Sequence, residues 1–380
     1  MLRNDHVQFL QSLIRTDSTN PPGNEHHVTE KFIERCEAAG LGYGITDIDE
    51  NRSNFEISLK SKADNAGKLM LCGHMDTVKV GEQQWDYGPF SGDIINDRLY
   101  GRGASDMKSG LAAMYLAVEQ IHRAGIELSK DVVFLATAGE EVDSCGAFNY
   151  LESAGMEDID ALVIGEPTKE KVAVGHKGAL WVEIVISGKT AHGAMPEHGI
   201  NAVEWMAKVI RIVESVKIDW KVEKAPLGKS SISANKITGG VQTNVIPDQC
   251  RMNIDIRSVA PQNHRELFTE LNERLEHLFG QDGAPEFEMS EVLNRPSILT
   301  GEDEEIIETA LYLKERQKGD VYGVSYYTDA AVLNSDSSIP TLIYGPGDET
   351  LAHQPNEHVD VSAYLRAIDF YKQLILKYAG

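Results

Sequence analysis

Short apolar runs alternate with helical patterns along most of the chain. Val7, Leu10 and Ile14 share one face of a first helix, and a second helix is predicted over residues 25–39, after the turn residues 19–23. The later predicted elements are strands at Leu69–Cys72, Val132–Ala136, Ala161–Ile164 and Thr341–Tyr344, and helices from Met107 to about Ala124, near 145–154, and from about Ser362. This alternation predicts βαβ units and an α/β fold, in which helices cover a mostly parallel sheet.

Residues 179–292 follow a different pattern. The predicted elements are a strand at Trp181–Ile186, a helix with Val203, Met206, Ile210 and Val213 on one face, strands at Ser231–Ile237 and Cys250–Ser258, a helix at Leu267–Leu278, and a strand at Phe287–Val292. The order β-α-β-β-α-β predicts an inserted ferredoxin-like α+β domain. We therefore expect a larger, discontinuous domain over residues 1–178 and 293–380, interrupted by the inserted domain over residues 179–292.

Composition narrows the class of partner. Lys and Arg number 36 and Asp and Glu number 59, so the net charge is 36 − 59 = −23 at pH 7. A surface this acidic opposes binding to nucleic acid and to anionic membranes, so we expect a small-molecule substrate instead. No apolar run approaches the roughly 20 residues that span a bilayer. Asp5 and His6 lie where a secretory signal would need apolar residues, so a cytoplasmic location is expected.

Polar side chains follow four of the predicted strands, at the ends where a parallel sheet gathers its ligand-binding loops. A further carboxylate, Asp106, is expected at the N-cap of a helix that begins at Met107. In chain order the candidates are His74, Asp76, Asp106, Glu140, Glu141, Glu166 and His353. Two imidazoles and several carboxylates suit zinc, cobalt or manganese. The four cysteines lie far apart and favour buried thiols over a cysteine zinc site.

Each of these motifs has a structural alternative. A His-x-Asp sequence after a strand is more often a hydrogen-bonded core pair than a ligand, and the adjacent Glu140 and Glu141 could simply be exposed. The glycines between residues 101 and 110 do not form a phosphate-binding loop, because Met107 replaces the glycine before Lys108. Asp106 likewise replaces the third glycine of a dinucleotide-binding fingerprint. The metal hypothesis therefore depends on the ordered combination of motifs.

In this combination the sequence resembles the metallopeptidase family that contains acetylornithine deacetylase, succinyl-diaminopimelate desuccinylase, aminoacylase and glutamate carboxypeptidase. The resemblance extends from Asn20-Pro21-Pro22-Gly23 to His353-Gln354-Pro355-Asn356-Glu357. It implies a zinc-aminopeptidase-like catalytic domain and a lid and dimerisation domain over residues 179–292. It also implies two divalent metal ions, with zinc as the first choice and cobalt or manganese as alternatives. A cis peptide bond between Asp106 and Met107 is a further expectation.

The resemblance implies a role for each candidate near the metal ions. The ligands would be His74 and Glu166 for one ion, Glu141 and His353 for the other, and Asp106 as the bridge between them. Asp76 would orient the His74 ring. Glu140 would act as the general base, taking a proton from the attacking water and returning it to the leaving amine. Burial should raise the pKa of Glu140, whereas the two metal charges should lower it.

The inserted domain and its flanks supply candidates for substrate contacts. His192 resembles the family's lid histidine, which donates to the oxyanion from the neighbouring subunit; a surface histidine is the alternative. Asn244 resembles a substrate-contacting asparagine, or else an asparagine chosen for a β-turn. Arg257 would bind the substrate's carboxylate, unless it pairs with a neighbouring acid. Lys177 is a further cation, and Thr328 lies in a loop that departs from the family's glycine-rich form.

These features lead to an expected function with two alternatives. We expect a two-metal amidohydrolase that removes the acyl group from an N-acyl amino acid, of the N-acetylornithine or N-succinyl-diaminopimelate type. Gly165-Glu166-Pro167 and Pro21-Pro22-Gly23 resemble that branch of the family. A dipeptidase or carboxypeptidase on the same scaffold is the first alternative. A binding protein without turnover is the second, and the presence of Glu140 argues against it. A homodimer through the lid domain is the expected assembly.

Overall fold

The computed structural model describes residues 2–63, 67–336 and 338–380. The helices are α1 (Leu2–Arg15), α2 (Glu25–Ala39), α3 (Lys108–Arg123), α4 (Cys145–Ser153), α5 (Ala202–Asp219), α6 (His264–Phe279), α7 (Glu305–Leu313), α8 (Ala330–Leu333) and α9 (Val361–Tyr378), with a 3-10 turn at Pro196–His198. The strands are β1 (Gly44–Asp47), β2 (Ser53–Leu59), β3 (Lys68–His74), β4 (Ile94–Ile95), β5 (Arg98–Tyr100), β6 (Asp131–Thr137), β7 (Ile159–Ile164), β8 (Ala173–His176), β9 (Gly178–Ser187), β10 (Ala191–His192), β11 (Glu223–Lys224), β12 (Gly228–Lys229), β13 (Ser231–Gly239), β14 (Val245–Ile246), β15 (Gln249–Ser258), β16 (Glu286–Arg295), β17 (Ile298–Leu299), β18 (Tyr322–Val324), β19 (Thr341–Ile343) and β20 (His358–Asp360).

The chain divides into two compact units. The first unit comprises Met1–Gly175, Leu299–Tyr322 and Thr328–Gly380. The second comprises His176–Ile298 and Gly323–Tyr327. Among the described residues, none of the helices in either unit combines the length and the apolar character needed to cross a membrane.

A large mixed sheet organises the first unit. Within the described residues its strand order is β1-β2-β6-β3-β7-β19-β8-β17, with β18 beside β8. β3 pairs in parallel with β6 and β7, and β7 pairs in parallel with β19, whereas β1, β2 and β8 pair antiparallel. The parallel centre is apolar on both faces, since Met70, Leu71, Leu135 and Val163 are all inaccessible to solvent. Its parallel strands end at one edge of the sheet.

Helix α3 packs closely against this edge. Every residue of α3 from Lys108 to Glu119 is buried. A Cβ atom built on Gly110 would lie 1.8 Å from the carbonyl oxygen of Gly165, so only glycine allows the helix to approach the end of β7. The close approach brings the segment before α3, which carries Asp106, to the carboxyl ends of the strands.

The second unit is an antiparallel sheet with two helices on one face. The strand order is β13-β15-β9-β16, and every pairing is antiparallel. Leu180, Val182 and Ile184 of β9 share an apolar core with Met206 of α5 and Leu271 of α6. Since β9, β13, β15 and β16 follow one another with α5 and α6 between the outer pairs, the arrangement is ferredoxin-like.

The predicted fold class is confirmed. The structure differs from the prediction in individual strands of the large sheet. The structure has the largely parallel, helix-covered sheet and the ferredoxin-like unit. The antiparallel strands β1 and β2 were not predicted. All four residues of β1 are exposed, so the strand carries no alternation of apolar and polar positions that could reveal it. The strand β3 extends two residues further than its apolar run, to His74.

Candidate metal centre

Neighbouring strands of the parallel centre carry the first candidate ligands. His74 is the last residue of β3, which lies between β6 and β7. Glu140 and Glu141 follow β6 after Gly139, whose φ of 81° lies in the left-handed region that favours glycine. Glu166 follows β7 by two residues. Because these strands are parallel and adjacent, their carboxyl ends bring the four side chains together, as the sequence predicts.

Asp106 lies between two histidines, and each of its carboxylate oxygens faces one of them. Asp106 Oδ1 is 3.3 Å from His74 Nε2, and Asp106 Oδ2 is 3.4 Å from His353 Nε2. A second carboxylate accompanies each histidine: Glu166 Oε1 lies 3.6 Å from His74 Nε2, and Glu141 Oε2 lies 3.1 Å from His353 Nε2. The donors therefore form two groups that share one carboxylate.

The spacing of these donors fits divalent cations. One donor atom each from His74, Asp106 and Glu141 lie within 4.8 Å of one another, and the same holds for His74, Glu140 and Glu166. Ligands about 2.0–2.2 Å from a single zinc ion have this spacing. Imidazole and carboxylate together suit zinc, cobalt or manganese. These two groups share His74, and the residues present therefore fit bound divalent cations, with Asp106 facing both histidines.

Asp76 supports the turn that carries Glu140 and Glu141. Its Oδ1 accepts hydrogen bonds from the backbone N–H groups of Gly139 (3.0 Å) and Glu140 (3.1 Å). Its Oδ2 accepts from the Glu141 N–H (3.2 Å) and from the Asn20 side-chain amide (2.9 Å). Asp76 Oδ1 also lies 3.5 Å from His74 Nδ1. One fully buried carboxylate thus faces a histidine and fixes the backbone of two acidic residues.

Crowding and burial change the protonation of the carboxylates. Burial and the charges of neighbouring carboxylates raise the pKa of Glu140, Glu141 and Glu166. Burial also tends to raise the pKa of Asp106, but hydrogen bonds from two histidines outweigh this effect and lower the pKa. The cluster thus holds more negative charge than burial favours, which a bound cation would offset.

The two imidazoles respond in the opposite direction. Burial alone would lower the pKa of His74, but the hydrogen bonds with Asp106 and Asp76 raise it. Hydrogen bonds with Asp106 and Glu141 raise the pKa of His353 to about 10. A metal ion must therefore displace a proton to bind these two imidazoles.

Two expectations about Asp106 have different outcomes. The cis peptide bond between Asp106 and Met107 is present, as expected. The prediction that Asp106 is the N-cap of α3 was wrong, because α3 begins at Lys108 and Met107 occupies the N-cap position without a side-chain bond. The Lys108 N–H donates to the Gly103 carbonyl at 2.9 Å. The Asp106 carboxylate is thereby left to face the two histidines.

The second unit holds four of the five predicted substrate contacts, which are Lys177, His192, Asn244 and Arg257. His192 and Asn244 are both exposed and lie close together, since β10 pairs with β14 and the Gly193 N–H donates to the Asn244 carbonyl at 2.8 Å. Arg257 lies on the face of β15 opposite the buried apolar positions, as predicted. Its Nε is 2.8 Å from Asp255 Oδ1, so the salt bridge considered as the alternative is present.

The remaining two substrate candidates already have polar partners. Lys177 Nζ donates to the Lys229 carbonyl oxygen at 2.7 Å. Thr328, in the first unit, is fully buried, and its hydroxyl accepts a hydrogen bond from the Ala330 N–H at 3.2 Å at the start of α8. The next residue, Asp329, accepts from the Thr137 hydroxyl at 2.6 Å.

Three buried residues beside the centre have no role in the sequence-based hypothesis. Asn20 contacts Asp76, and Arg102 and Glu357 form an ion pair beside the Asp106 backbone. Asn20 and Glu357 belong to the two motifs that mark the ends of the family resemblance. Their position in these motifs is a signal in the sequence that could have identified Asn20 and Glu357.

Comparisons with known proteins agree with this geometry. The model of peptidase family M20/M25/M40 matches residues 70–377. A probable succinyl-diaminopimelate desuccinylase of Staphylococcus aureus is 26% identical over 98% of this chain and 97% of its own length. An acetylornithine deacetylase of Aliivibrio fischeri is 30% identical over 98% of both chains.

Solved structures show a similar fold over nearly the whole chain. An M20 family metallo-carboxypeptidase of Sulfolobus solfataricus matches with a TM-score of 0.77 at 18% identity, over 98% of both chains. A dinuclear metal-binding peptidase of Bacillus subtilis from the same family matches with a TM-score of 0.74 at 17% identity, over 99% of this chain and 98% of its own. At these identities the likeness is one of fold.

Proposed function

Because the chain belongs to peptidase family M20/M25/M40, and so is a metal-dependent hydrolase of amide bonds, we propose that it removes the acyl group from N-acylated amino acids. The substrate class is that of N-acetylornithine and N-succinyl-diaminopimelate, which the names of its curated relatives suggest. The products would be a free amine and a carboxylic acid.

One observation carries the proposal. The two oxygens of Asp106 face His74 and His353 separately, at 3.3 and 3.4 Å, and the buried Glu140 lies beside them. A shared carboxylate between two imidazoles is the arrangement that a two-metal hydrolase needs. Glu140 is the group in this cluster to which we assign no metal, so it remains available as a base.

In the proposed reaction Glu140 moves one proton. It takes the proton from the attacking water, whose oxygen bonds to the carbonyl carbon, and gives it to the nitrogen as the carbon–nitrogen bond breaks. Burial, the largest contribution, raises the pKa of Glu140, which favours a base that can also return the proton. The Glu140 backbone N–H donates a hydrogen bond to Asp76 Oδ1 at 3.1 Å, which holds this part of the backbone in place. When bound, two divalent ions would supply the positive charge that polarises the carbonyl.

We propose that each metal ion is held by one histidine and the glutamate that lies beside it. His74 and Glu166 would hold one ion, Glu141 and His353 the other, and Asp106 would bind both. Zinc is the proposed metal, because imidazole and carboxylate oxygens are its usual ligands in hydrolases. Cobalt and manganese accept the same donors and should also restore activity.

We further propose that residues 179–292 form a lid and dimerisation domain, with residues 1–178 and 293–380 as the catalytic domain. His192 would donate a hydrogen bond to the developing oxyanion from the neighbouring subunit of a homodimer. Its Nδ1 accepts the Ala194 N–H at 3.1 Å, which leaves Nε2 as the donor in the neutral ring. A cytoplasmic location remains a prediction.

The substrate's carboxylate needs a cation. Arg257 is the proposed partner, since its ion pair with Asp255 is made through Nε and the Nη groups offer the paired donors that bind carboxylates. The exposed Asn244 would contact the rest of the substrate, whereas Thr328 is fully buried and would support this region through its bond with the Ala330 N–H. Lys177 would serve a succinyl group, which carries a second carboxylate that an acetyl group lacks.

A panel of substrates tests the proposal. Enzyme stripped with a chelator and restored with zinc, cobalt or manganese is assayed for release of free amine. The substrates are N-acetylornithine, N-succinyl-diaminopimelate, other N-acyl amino acids and dipeptides. Metal-restored cleavage of one acyl amino acid is the expected result.

Two other results would lead to different conclusions. Cleavage of dipeptides alone would favour a dipeptidase or carboxypeptidase, the function named for the solved carboxypeptidase of similar fold. No turnover on the whole panel, with two metals bound, would refute the proposed deacylase and revive a binding role without catalysis.

A further inference from the structure

Glu357 is a buried carboxylate that holds the backbone of Asp106. It is inaccessible to solvent, and its Oε1 accepts hydrogen bonds from the N–H groups of Ser105 (2.8 Å) and Asp106 (3.0 Å). Its Oε2 accepts from Arg102 Nη1 at 2.5 Å. Since Glu357 lies four residues after His353, one side chain links the two segments that carry Asp106 and His353.

Arg102 extends this link to a third segment. The Arg102 side chain is 2% exposed, and its guanidinium donates to the carbonyl oxygens of Gln354 (3.4 Å) and Lys79 (3.3 Å) besides Glu357. Its Cζ lies 5.2 Å from the ring centroid of Trp85. A planar guanidinium with donors in several directions can make these contacts together, which a lysine cannot.

The segment that carries His353 needs outside contacts to keep its shape. His353 and Asn356 have φ values of 62° and 59°, in the left-handed region that residues other than glycine rarely adopt. Asparagine and histidine adopt this region more readily than most residues, and surrounding contacts help to hold them in it. The Asn356 side chain bonds to Asp86, and the Glu357 carbonyl oxygen accepts the Gly101 N–H at 2.9 Å.

From these contacts we propose that Arg102 and Glu357 are positioning residues, which set the distance between Asp106 and His353 and so the affinity for metal. The inference rests on the metal ligands assigned under the proposed function. Neither residue lies among those ligands, and both act through the backbone of the segments that carry them. The 3.4 Å between Asp106 Oδ2 and His353 Nε2 is the distance they control.

A second buried ion pair provides the matched control. Glu119 is 2% exposed and accepts hydrogen bonds from Arg35 Nε (2.8 Å) and Arg123 Nε (2.9 Å). It lies 11 residues after Lys108, where α3 begins (119 − 108), which is about 17 Å along the helix. Glu119→Gln disturbs a buried carboxylate to a similar degree but leaves the segments around Asp106 untouched.

The test measures metal binding directly. Wild type, Glu357→Gln and Glu119→Gln are stripped with a chelator and titrated with Co²⁺, followed by calorimetry and by visible absorption, which reports the geometry around cobalt. For Glu357→Gln we expect at least one binding step to weaken by roughly 10- to 100-fold, with a changed spectrum. Glu119→Gln should match the wild type.

Arg102→Lys serves as a second variant if Glu357→Gln does not fold. Lysine keeps a positive charge for Glu357 but cannot also reach Lys79 and Gln354, so roughly tenfold weaker binding is expected. Wild-type affinity in both variants would overturn the proposal, and so would equal weakening in Glu119→Gln. A wild-type protein that binds no Co²⁺ would instead contradict the metal site itself, and with it this inference.

Discussion

Asp76 offers a sharp test of how the candidate centre is held together. Its carboxylate accepts four hydrogen bonds, from the N–H groups of Gly139, Glu140 and Glu141 and from the Asn20 amide, and it also faces His74. These bonds lie within the protein and do not require a metal ion. We therefore predict that Asp76→Asn destabilises the metal-free protein as well as weakening metal binding.

The magnitude follows from the geometry. Oδ1 and Oδ2 of Asp76 each accept two of the four bonds. The amide introduced by Asp76→Asn offers one accepting oxygen, so two donors face an NH₂ group whichever way the amide turns. Bonds to a charged acceptor contribute about 1.5–3 kcal/mol each, so the loss of two costs about 3–6 kcal/mol. Asn20→Ala removes one bond and should cost about half as much.

The assay is urea unfolding of chelator-treated protein. Asp76→Asn and Asn20→Ala are compared with wild type and with Asp131→Asn, a control at the opposite end of β6, where Asp131 accepts the Ser61 N–H at 2.8 Å. If stripped Asp76→Asn unfolded within about 0.5 kcal/mol of wild type, the support of the 139–141 turn would be refuted. The Asp76 carboxylate would then act only through its 3.5 Å approach to His74, whose Nδ1 also contacts the Asp76 backbone carbonyl oxygen at 3.0 Å, and Asp76→Asn would weaken metal binding without altering the metal-free protein.

Three further predictions concern the base, the protons and the assembly. Glu140→Ala should keep metal stoichiometry and lower kcat by about 10²–10⁴-fold, measured with saturating metal; substantial remaining turnover would contradict the base assignment. Hydrogen bonds with Asp106 and Glu141 raise the pKa of His353 from 6.5 to about 10, so this stabilisation is complete below about pH 6.5 and is lost as the pH rises through 10. Urea midpoints of stripped protein should fall over that window, and a flat profile would argue against it. If His192 acts in trans, mixing His192→Ala with Glu140→Ala protomers should restore about a quarter of the wild-type sites, whereas two inactive variants that stay inactive together would indicate action in cis.

Sequence patterns predicted the parts of the fold and of the site that depend on neighbouring strands. His74, Glu140 and Glu166 follow apolar strands that are parallel and adjacent, so their meeting at one edge follows from the alternation of elements alone. The strand β1 could not be predicted in this way, because all four of its residues are exposed and its only partner among the described strands of the sheet is the antiparallel β2.

The errors and omissions share a physical cause, which is contact over long separations in sequence. An aspartate just before a helix predicts an N-cap, and local sequence cannot distinguish that role from the one Asp106 has, facing His74 and His353. The contact between Asn20 and Asp76 joins residues 56 apart. The contact between Glu357 and Asp106 joins residues 251 apart. The periodicity of apolar residues does not reveal such pairs.

The two halves of the centre are therefore held in different ways. His74 and Glu166 are presented by strands whose hydrogen bonds to each other fix their spacing, so this half follows from the sheet itself. His353 comes from a loop in a left-handed conformation, and its position depends on contacts that Glu357 and Arg102 make with other segments. Asp106 belongs to both halves, since one oxygen faces each histidine. If the two ions bind as proposed, their separation depends on the packing that joins this loop to the sheet, and Arg102 and Glu357 would affect metal binding from outside the ligand set.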